Sequence, residues 1–329
     1  MNWKTLMRWR LLPGLILCGA MGCAAAQSFP TREVTLIAPF AAGGTSDVVA
    51  RTVAKAMGQE LGKPIVVINK VGAGGRIGVA AGAAAAPDGY TMVLGGLGSV
   101  VFASGVAKEK LSFDPRKDLI PIGPVGEAPT VIVARADLPA NNLEQLVALA
   151  KKAPGTVKYG SAGVGGTLHM AAVLLEKAAH IDLLHVPYRG GAPAMTELLG
   201  GQIDLVFADL TLVQPFLNSG KIKTIALASR QRSSVVPNLP TTAEQGFATV
   251  RMDTWYALFV PRATPDSQLN ILRGALAKAR VTPEFTKLLS AQAISPNTAT
   301  ETAFATALQG DFDSWLPLLK QVCAANSCE

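Results

Sequence analysis

Three glycine clusters are the part of this 329-residue chain best suited to holding a ligand. They are Pro39-Phe40-Ala41-Ala42-Gly43-Gly44-Thr45-Ser46-Asp47, Asn69-Lys70-Val71-Gly72-Ala73-Gly74-Gly75-Arg76-Ile77-Gly78 and Gly160-Ser161-Ala162-Gly163-Val164-Gly165-Gly166-Thr167-Leu168-His169. Each follows a strand-like segment and precedes a helix-like one. Glycine admits a positive φ and a close backbone approach, so such loops can turn N–H groups and a helix N-terminus toward an anion. Near them, Arg189 could form a bidentate pair with a carboxylate or an ion pair with Glu197. Asp209, at the end of an apolar strand, either holds a water or a ligand hydroxyl or caps the helix that follows. Asp47 reads as a first-turn acid that complements a helix dipole.

Other chemistries lack their residues. The second cluster has Ile77 where a dinucleotide fingerprint needs glycine, the third has Leu168 there, and no Gly-Lys-Ser/Thr follows any cluster. No cofactor is therefore expected. There is no G-x-S-x-G and no His-Glu-x-x-His. Ser161 and His169 could be imagined as nucleophile and base, but no third group is evident. The three histidines, His169, His180 and His185, show no metal-ligand spacing, so no metal is expected.

The elements that must position these loops alternate. Strands are expected at 34–39, 64–69, 90–94, 130–134, 157–160, 183–187, 204–208, 223–228 and 255–261. Helices are expected at 45–61, 77–86, 143–152, 168–180, 192–200, 267–280, 283–291 and 298–322, the last opening on a Thr298/Glu301 capping box. The order is that of an α/β protein with mostly parallel sheets flanked by helices, and ligands of such sheets sit at the carboxyl ends of the strands. The stretches 121–129 and 235–253 are candidate crossings between domains. Residues 27–128 with 251–329 then form one lobe and 129–250 the other, joined by two crossing strands around a cleft.

Composition agrees: 49% hydrophobic, 6% aromatic, 16% charged and 32 Gly exclude disorder and coiled coil. Lys4, Arg8 and Arg10 precede an apolar run from Leu11 to Gly22 and the small residues Ala24-Ala25-Ala26, which together read as a signal peptide over residues 1–26. Ala20 stands three before Cys23, where a lipoprotein signal carries Leu or Val, so export to the periplasm is expected rather than an anchor at Cys23. Removal of that segment takes three of the 30 basic residues and none of the 23 acidic ones, which leaves +4 (27 against 23). A charge so mild gives no reason to expect a nucleic-acid partner. Cys323 and Cys328 remain, and in an oxidising compartment they read as a local disulfide staple, contributing at most about 2 kcal/mol.

Several blocks, taken together and in order, resemble the Bug family of extracytoplasmic solute receptors of tripartite tricarboxylate transporters. They are Pro39-Phe40-x-x-Gly43-Gly44-x-x-Asp47, Asn69-x-x-Gly72-Ala73-Gly74-Gly75-x-Ile77-Gly78, Pro87-Asp88-Gly89-Tyr90-Thr91, and Val186-Pro187-Tyr188-Arg189-Gly190-Gly191 running into Leu199-Gly200-Gly201-Gln202-Ile203-Asp204. The resemblance implies a two-lobed Venus-flytrap fold and a small organic acid held by backbone amides, hydroxyls and water. By position it implies Phe40, Ala42, Gly43 and Thr45 in one loop, Ser161, Gly165, Thr167 and His169 in the other, and Asp209 as a cleft acid. It also implies a monomer that delivers its ligand to membrane subunits of a transporter. A secreted α/β enzyme acting on a carboxylated metabolite, or a ligand-binding module for a membrane sensor, are the alternatives.

Overall fold

The computed structural model describes residues 29–106 and 113–323. The signal segment with Cys23, and Cys328 of the cysteine pair, lie outside the described residues. In chain order the first part comprises β1 (Val34–Ala38), α1 (Thr45–Leu61), β2 (Ile65–Asn69), α2 (Arg76–Ala83) and β3 (Thr91–Gly96). A π-helical turn, Leu97–Phe102, leads into α3 (Ala103–Val106), and α4 (Pro115–Asp118) precedes the long β4 (Leu119–Arg135). Next come α5 (Leu143–Lys152), β5 (Lys158–Ser161), α6 (Thr167–Ala179), β6 (Leu184–Pro187), α7 (Gly191–Leu199), β7 (Leu205–Asp209), α8 (Leu210–Val213) and β8 (Ile222–Leu227). The chain ends with β9 (Asp253–Pro261), α9 (Asp266–Arg280), α10 (Pro283–Ser290), β10 (Ser295–Pro296) and α11 (Glu301–Cys323).

The fold is two-lobed. β2, β1 and β3 run parallel in the first lobe, and β6, β5 and β7 run parallel in the second. The antiparallel ladders lie where the lobes meet. β4 pairs with β9 from Leu119 to Pro129, then with β7 and β8 from Thr130 to Arg135. One 17-residue strand thus serves both sheets. The return path leaves β8 at Ala228, whose N–H donates to Thr130 O (2.8 Å), and enters β9 at Asp253.

The stretch 121–129, a candidate crossing that the expected strands left out by starting at 130, is strand. Its prolines hide it, because proline has no N–H for a ladder. Here the register shifts between Pro121 and Gly123 and again between Pro124 and Gly126, so prolines sit at bulges. The expected capping box is also corrected. Helix α11 begins at Glu301, Ala303 N–H donates to Thr300 Oγ1 (3.2 Å), and Glu301 is drawn instead into an ion pair with Arg273.

Packing follows the apolar periodicity. Val49, Ala50, Val53 and Met57 of α1 are buried against Leu36 of β1 and Leu272 of α9 in the first-lobe core. Phe304, Phe312 and Leu319 of α11 share a second cluster with Met170 and Leu174 of α6, so the last helix stitches both lobes on the side of the crossing. Among the described residues no helix is long and apolar enough to cross a membrane.

Arg280 secures the bulged part of β4. It is buried, and its Nη1 donates to Pro124 O (2.9 Å), Ala299 O (3.1 Å) and Asn297 O (3.3 Å). Arg280→Met leaves these carbonyls without that donor and should cost about 3 kcal/mol, read as a lower urea midpoint at unchanged m-value.

Candidate functional site

The first glycine loop is held from below by Asp47. Its Oδ2 accepts from Gly43 N–H (3.1 Å) and Arg51 Nε (2.9 Å), and its Oδ1 accepts from Asn69 Nδ2 (3.0 Å). Asn69 Nδ2 also reaches Phe40 O (2.9 Å), so β2 braces the loop that follows β1. Burial raises the Asp47 pKa, but the hydrogen bonds from Arg51, Gly43 and Asn69 and the Arg51 charge outweigh it and hold the carboxyl below its usual range. Asp47 is thus the loop's anchor as well as a first-turn acid.

The second loop rests on a stack of rings. His169 and His185 lie 4.1 Å apart and nearly parallel, and Tyr159 stacks on His185 at 4.8 Å. His169 Nδ1 accepts from Gly165 N–H (3.0 Å), which places the ring proton of the neutral histidine on Nε2. Ser161 Oγ is bonded to His185 Nε2 (2.7 Å) and accepts from Gly163 N–H (3.2 Å). Serine 161 therefore pairs with His185 rather than His169. It is wholly buried and takes no part in the cavity described next, so the pair shapes the loop.

Between the lobes lies a cavity of about 40 Å³. Its wall includes Phe40, Thr45 and Ser46 at the start of α1, Ala162, Gly166, Thr167 and Leu168 at the start of α6, and Gly96, Gly98, Ser99, Asp209, Thr254 and Tyr256. The first N–H groups of a helix have no intrahelical partner, and neither Gly44 nor Gly166 offers a capping side chain. Two helix ends, one per lobe, thus bring free donors to a single space. Among the described residues no Lys, Arg or His lines it. Thr45 Oγ1, Ser46 Oγ, Thr254 Oγ1 and Asp209 Oδ1 are buried there without a hydrogen-bond partner.

Asp209 is bridged across the lobes: Tyr256 Oη donates to its Oδ2 at 2.7 Å. It starts α8, but its side chain makes no cap hydrogen bond. Burial raises its pKa, opposed by the Tyr256, Thr45 and Thr254 hydroxyls that face it, of which Tyr256 alone has hydrogen-bond geometry.

The lobes meet backbone to backbone. A methyl group on Gly98 of the first lobe would lie 2.5 Å from Thr167 N and 2.7 Å from Thr167 Oγ1 of the second. One on Gly74, at φ +62°, would lie 2.6 Å from Val164 O. Ala41 N–H donates to Arg189 O across the cleft (3.2 Å). The Arg189 side chain is exposed and makes no ion pair among the described residues.

Of the residues singled out from sequence, Phe40, Thr45, Thr167 and Asp209 reach the cavity wall. Ala42 and Gly43 are exposed on the first loop, and Ser161, Gly165 and His169 lie beneath the second. Sequence reasoning missed Ser46, Ser99, Gly98, Thr254 and Tyr256. Ser46 was within the quoted cluster. Thr254 and Tyr256 alternate on a strand recognised as such, and their inward face becomes readable only once β9 is known to run beside β4 at the crossing.

This two-lobed architecture with a cavity between the lobes is that of a periplasmic solute-binding protein. Residues 49–323 match the model of the tripartite tricarboxylate transporter family receptor, and the chain belongs to that family, the Bug solute receptors. A UPF0065 protein of Bordetella pertussis is 34% identical over 288 residues, 87% of this chain and 88% of the relative. The periplasmic binding protein BugD superposes with a TM-score of 0.85 at 34% identity, covering 89% of this chain and 98% of that one. MatC of Rhodopseudomonas palustris, solved with bound malate, gives 0.84 at 31% identity over 88% of this chain and 100% of that one.

Two outcomes follow from the geometry. Gly98 has no left-handed φ, so Gly98→Ala meets resistance only from the facing lobe. It should keep the melting temperature within about 2 °C and raise the radius of gyration in small-angle scattering by holding the lobes apart. The second concerns acid. Burial lowers His169 to about 3, with the His185 ring adding to the effect, and burial lowers His185 to about 4. The unfolded rings take protons near 6.5, so this part of the stability is complete above pH 6.5 and is lost as pH falls toward 4, by up to about 1.4 kcal/mol per unit per ring. Glu176, raised to about 7 by burial despite the Leu183 N–H bond, acts with the opposite sign over part of that window. The test is therefore a difference: His185→Gln should lose less stability than wild type between pH 6.5 and 4 in urea titrations.

Proposed function

We propose that the protein captures a small organic acid between its lobes and delivers it to the membrane subunits of a tripartite tricarboxylate transporter, acting as a monomer in the periplasm. The observation that carries this reading is the convergence of two uncapped helix N-termini, one from each lobe, on one cavity that no cationic side chain lines among the described residues. Such a site suits a carboxylate, which accepts several N–H and O–H donors at once. Relatives support the class: MatC was solved with malate, and Rpa4515 of R. palustris with adipate.

In this reading residues 27–128 with 251–329 form one lobe and 129–250 the other, supported by the change of partners in β4 between Pro129 and Thr130. Phe40, Thr45, Thr167 and Asp209 face the ligand. Ala42 and Gly43 close over it, and Ser161, Gly165 and His169 fix the second loop.

A micromolar receptor must supply about 8 kcal/mol net. Each helix end contributes about 0.3 to 2 kcal/mol and each charge-assisted hydrogen bond about 1.5 to 3. One lobe falls short, and donors from both reach the required size, so affinity and closure are coupled. A thermal-shift screen of organic acids should give melting-temperature increases for carboxylates and none for neutral sugars. Against the best hit, Thr45→Ala and Thr167→Ala should each weaken binding about ten-fold in calorimetry without loss of fold. Unchanged affinity in both would overturn this site.

A further inference from the structure

Resting on the delivery reading above, we infer that the outer edge of β2, with the groove between it and α1, is the docking surface for the membrane partner. The segment it takes is an extended one in which acidic and apolar side chains alternate. β2 ends its sheet and has β1 as its single ladder partner among the described residues. Val34 N–H donates to Pro64 O (3.0 Å) and Lys70 N–H donates to Ala38 O (2.9 Å). The backbone groups of successive strand residues turn to opposite sides, so Pro64, Val66, Ile68 and Lys70 serve β1, and the N–H and C=O groups of Ile65 and Val67 point outward. Such an edge takes an added strand through its main chain. β6, at the other end of the strand order, has four residues and closes on Pro187, which has no N–H to give.

The two faces of the edge define the side chains of the occupant. On the α1 side, Ile65 and Val67 with Ala54 form the floor of an open groove of about 570 Å³. Its charged liners are Arg51, Lys55 and Lys63, all cationic, and no acid lines it among the described residues. Glu284 reaches Lys55 from α10 (2.8 Å), but both side chains are more than half exposed, and a surface pair of that kind is readily exchanged for another. On the opposite face Val66 is 40% exposed. Side chains of one strand alternate between the faces, so a segment whose acids meet the groove lays apolar residues beside Val66. Arg51 ties this surface to the ligand loop. The side chain that lines the groove also donates from Nε to Asp47 Oδ2 (2.9 Å), and the same oxygen holds Gly43 N–H (3.1 Å). A partner carboxylate that draws Arg51 outward loosens the first loop, so docking weakens the grip on the ligand and favours its release.

The experiment is fluorescence anisotropy of the purified protein at low salt with a labelled peptide of alternating Glu and Val, set against its Lys and Val counterpart. The Glu-Val peptide should bind, the Lys-Val peptide should not, and added salt should weaken the complex. Lys63→Glu should weaken it about ten-fold while affinity for the best acid of the screen stays within about two-fold. Val67→Pro removes an outward N–H and no bond to β1, so it should also weaken the peptide complex at an unchanged circular-dichroism spectrum. Saturating peptide should raise the dissociation constant of the acid about three-fold or more, and an unchanged constant would overturn the role given to Arg51. Equal binding of both peptides, or wild-type affinity in both variants, would overturn the docking surface. Binding of anionic phospholipid vesicles with no binding of the Glu-Val peptide would overturn it in favour of a lipid surface. Each of these failures leaves the carboxylate reading intact, since that reading stands or falls on the acid screen.

Discussion

A main chain can offer its N–H groups to a ligand only where no side chain stands in front of them, and the architecture of this protein turns on that constraint. The starts of α1 and α6 face one cavity because glycines, Gly44 and Gly166, stand where most helices carry a capping side chain. Gly98 lets Thr167 N approach from the other lobe. Each glycine loop is then denied its freedom from beneath. Asp47 and Asn69 hold the first, and the Ser161, His185 and His169 group holds the second. Asp47 and the histidines brace the two loops from beneath, and helix-start amides, hydroxyls and Asp209 form the cavity wall.

This division explains why no cation lines the site among the described residues although the proposed ligand is an anion. A lysine or arginine in so small a space would carry a large desolvation cost before any ligand arrived. Helix amides carry only partial charge and are already fixed by the helix, so they bind without that cost and without side-chain ordering. The neutral histidines fit the same logic, since a charged ring under the second loop would lose its acceptor for Gly165 N–H.

Most of the fold was legible in the sequence because it is written in short-range pattern. The apolar run at Val34 and the helical spacing from Thr45 give β1 and α1 with little shift of boundary. Of the site, the two helix starts were legible from glycine clusters that interrupt strand-to-helix transitions. What was not legible depends on long-range pairing. Pro121 to Pro129 has the composition of a loop, and only its ladder with β9 makes it strand. Tyr256 reaches Asp209 from 47 residues away, and His185 reaches Ser161 from 24, through sheet neighbours that no local period announces. Thr300 caps α11 in place of Thr298 because Glu301 is claimed by a distant arginine.

The central claim is that both lobes grip one ligand through the first turns of α1 and α6. An amide NMR titration with the strongest-binding acid tests it most directly. The account predicts that the amides of Thr45, Ser46, Thr167 and Leu168 shift together with a single dissociation constant. Shifts confined to one lobe, with the other helix start unmoved at saturation, would contradict it.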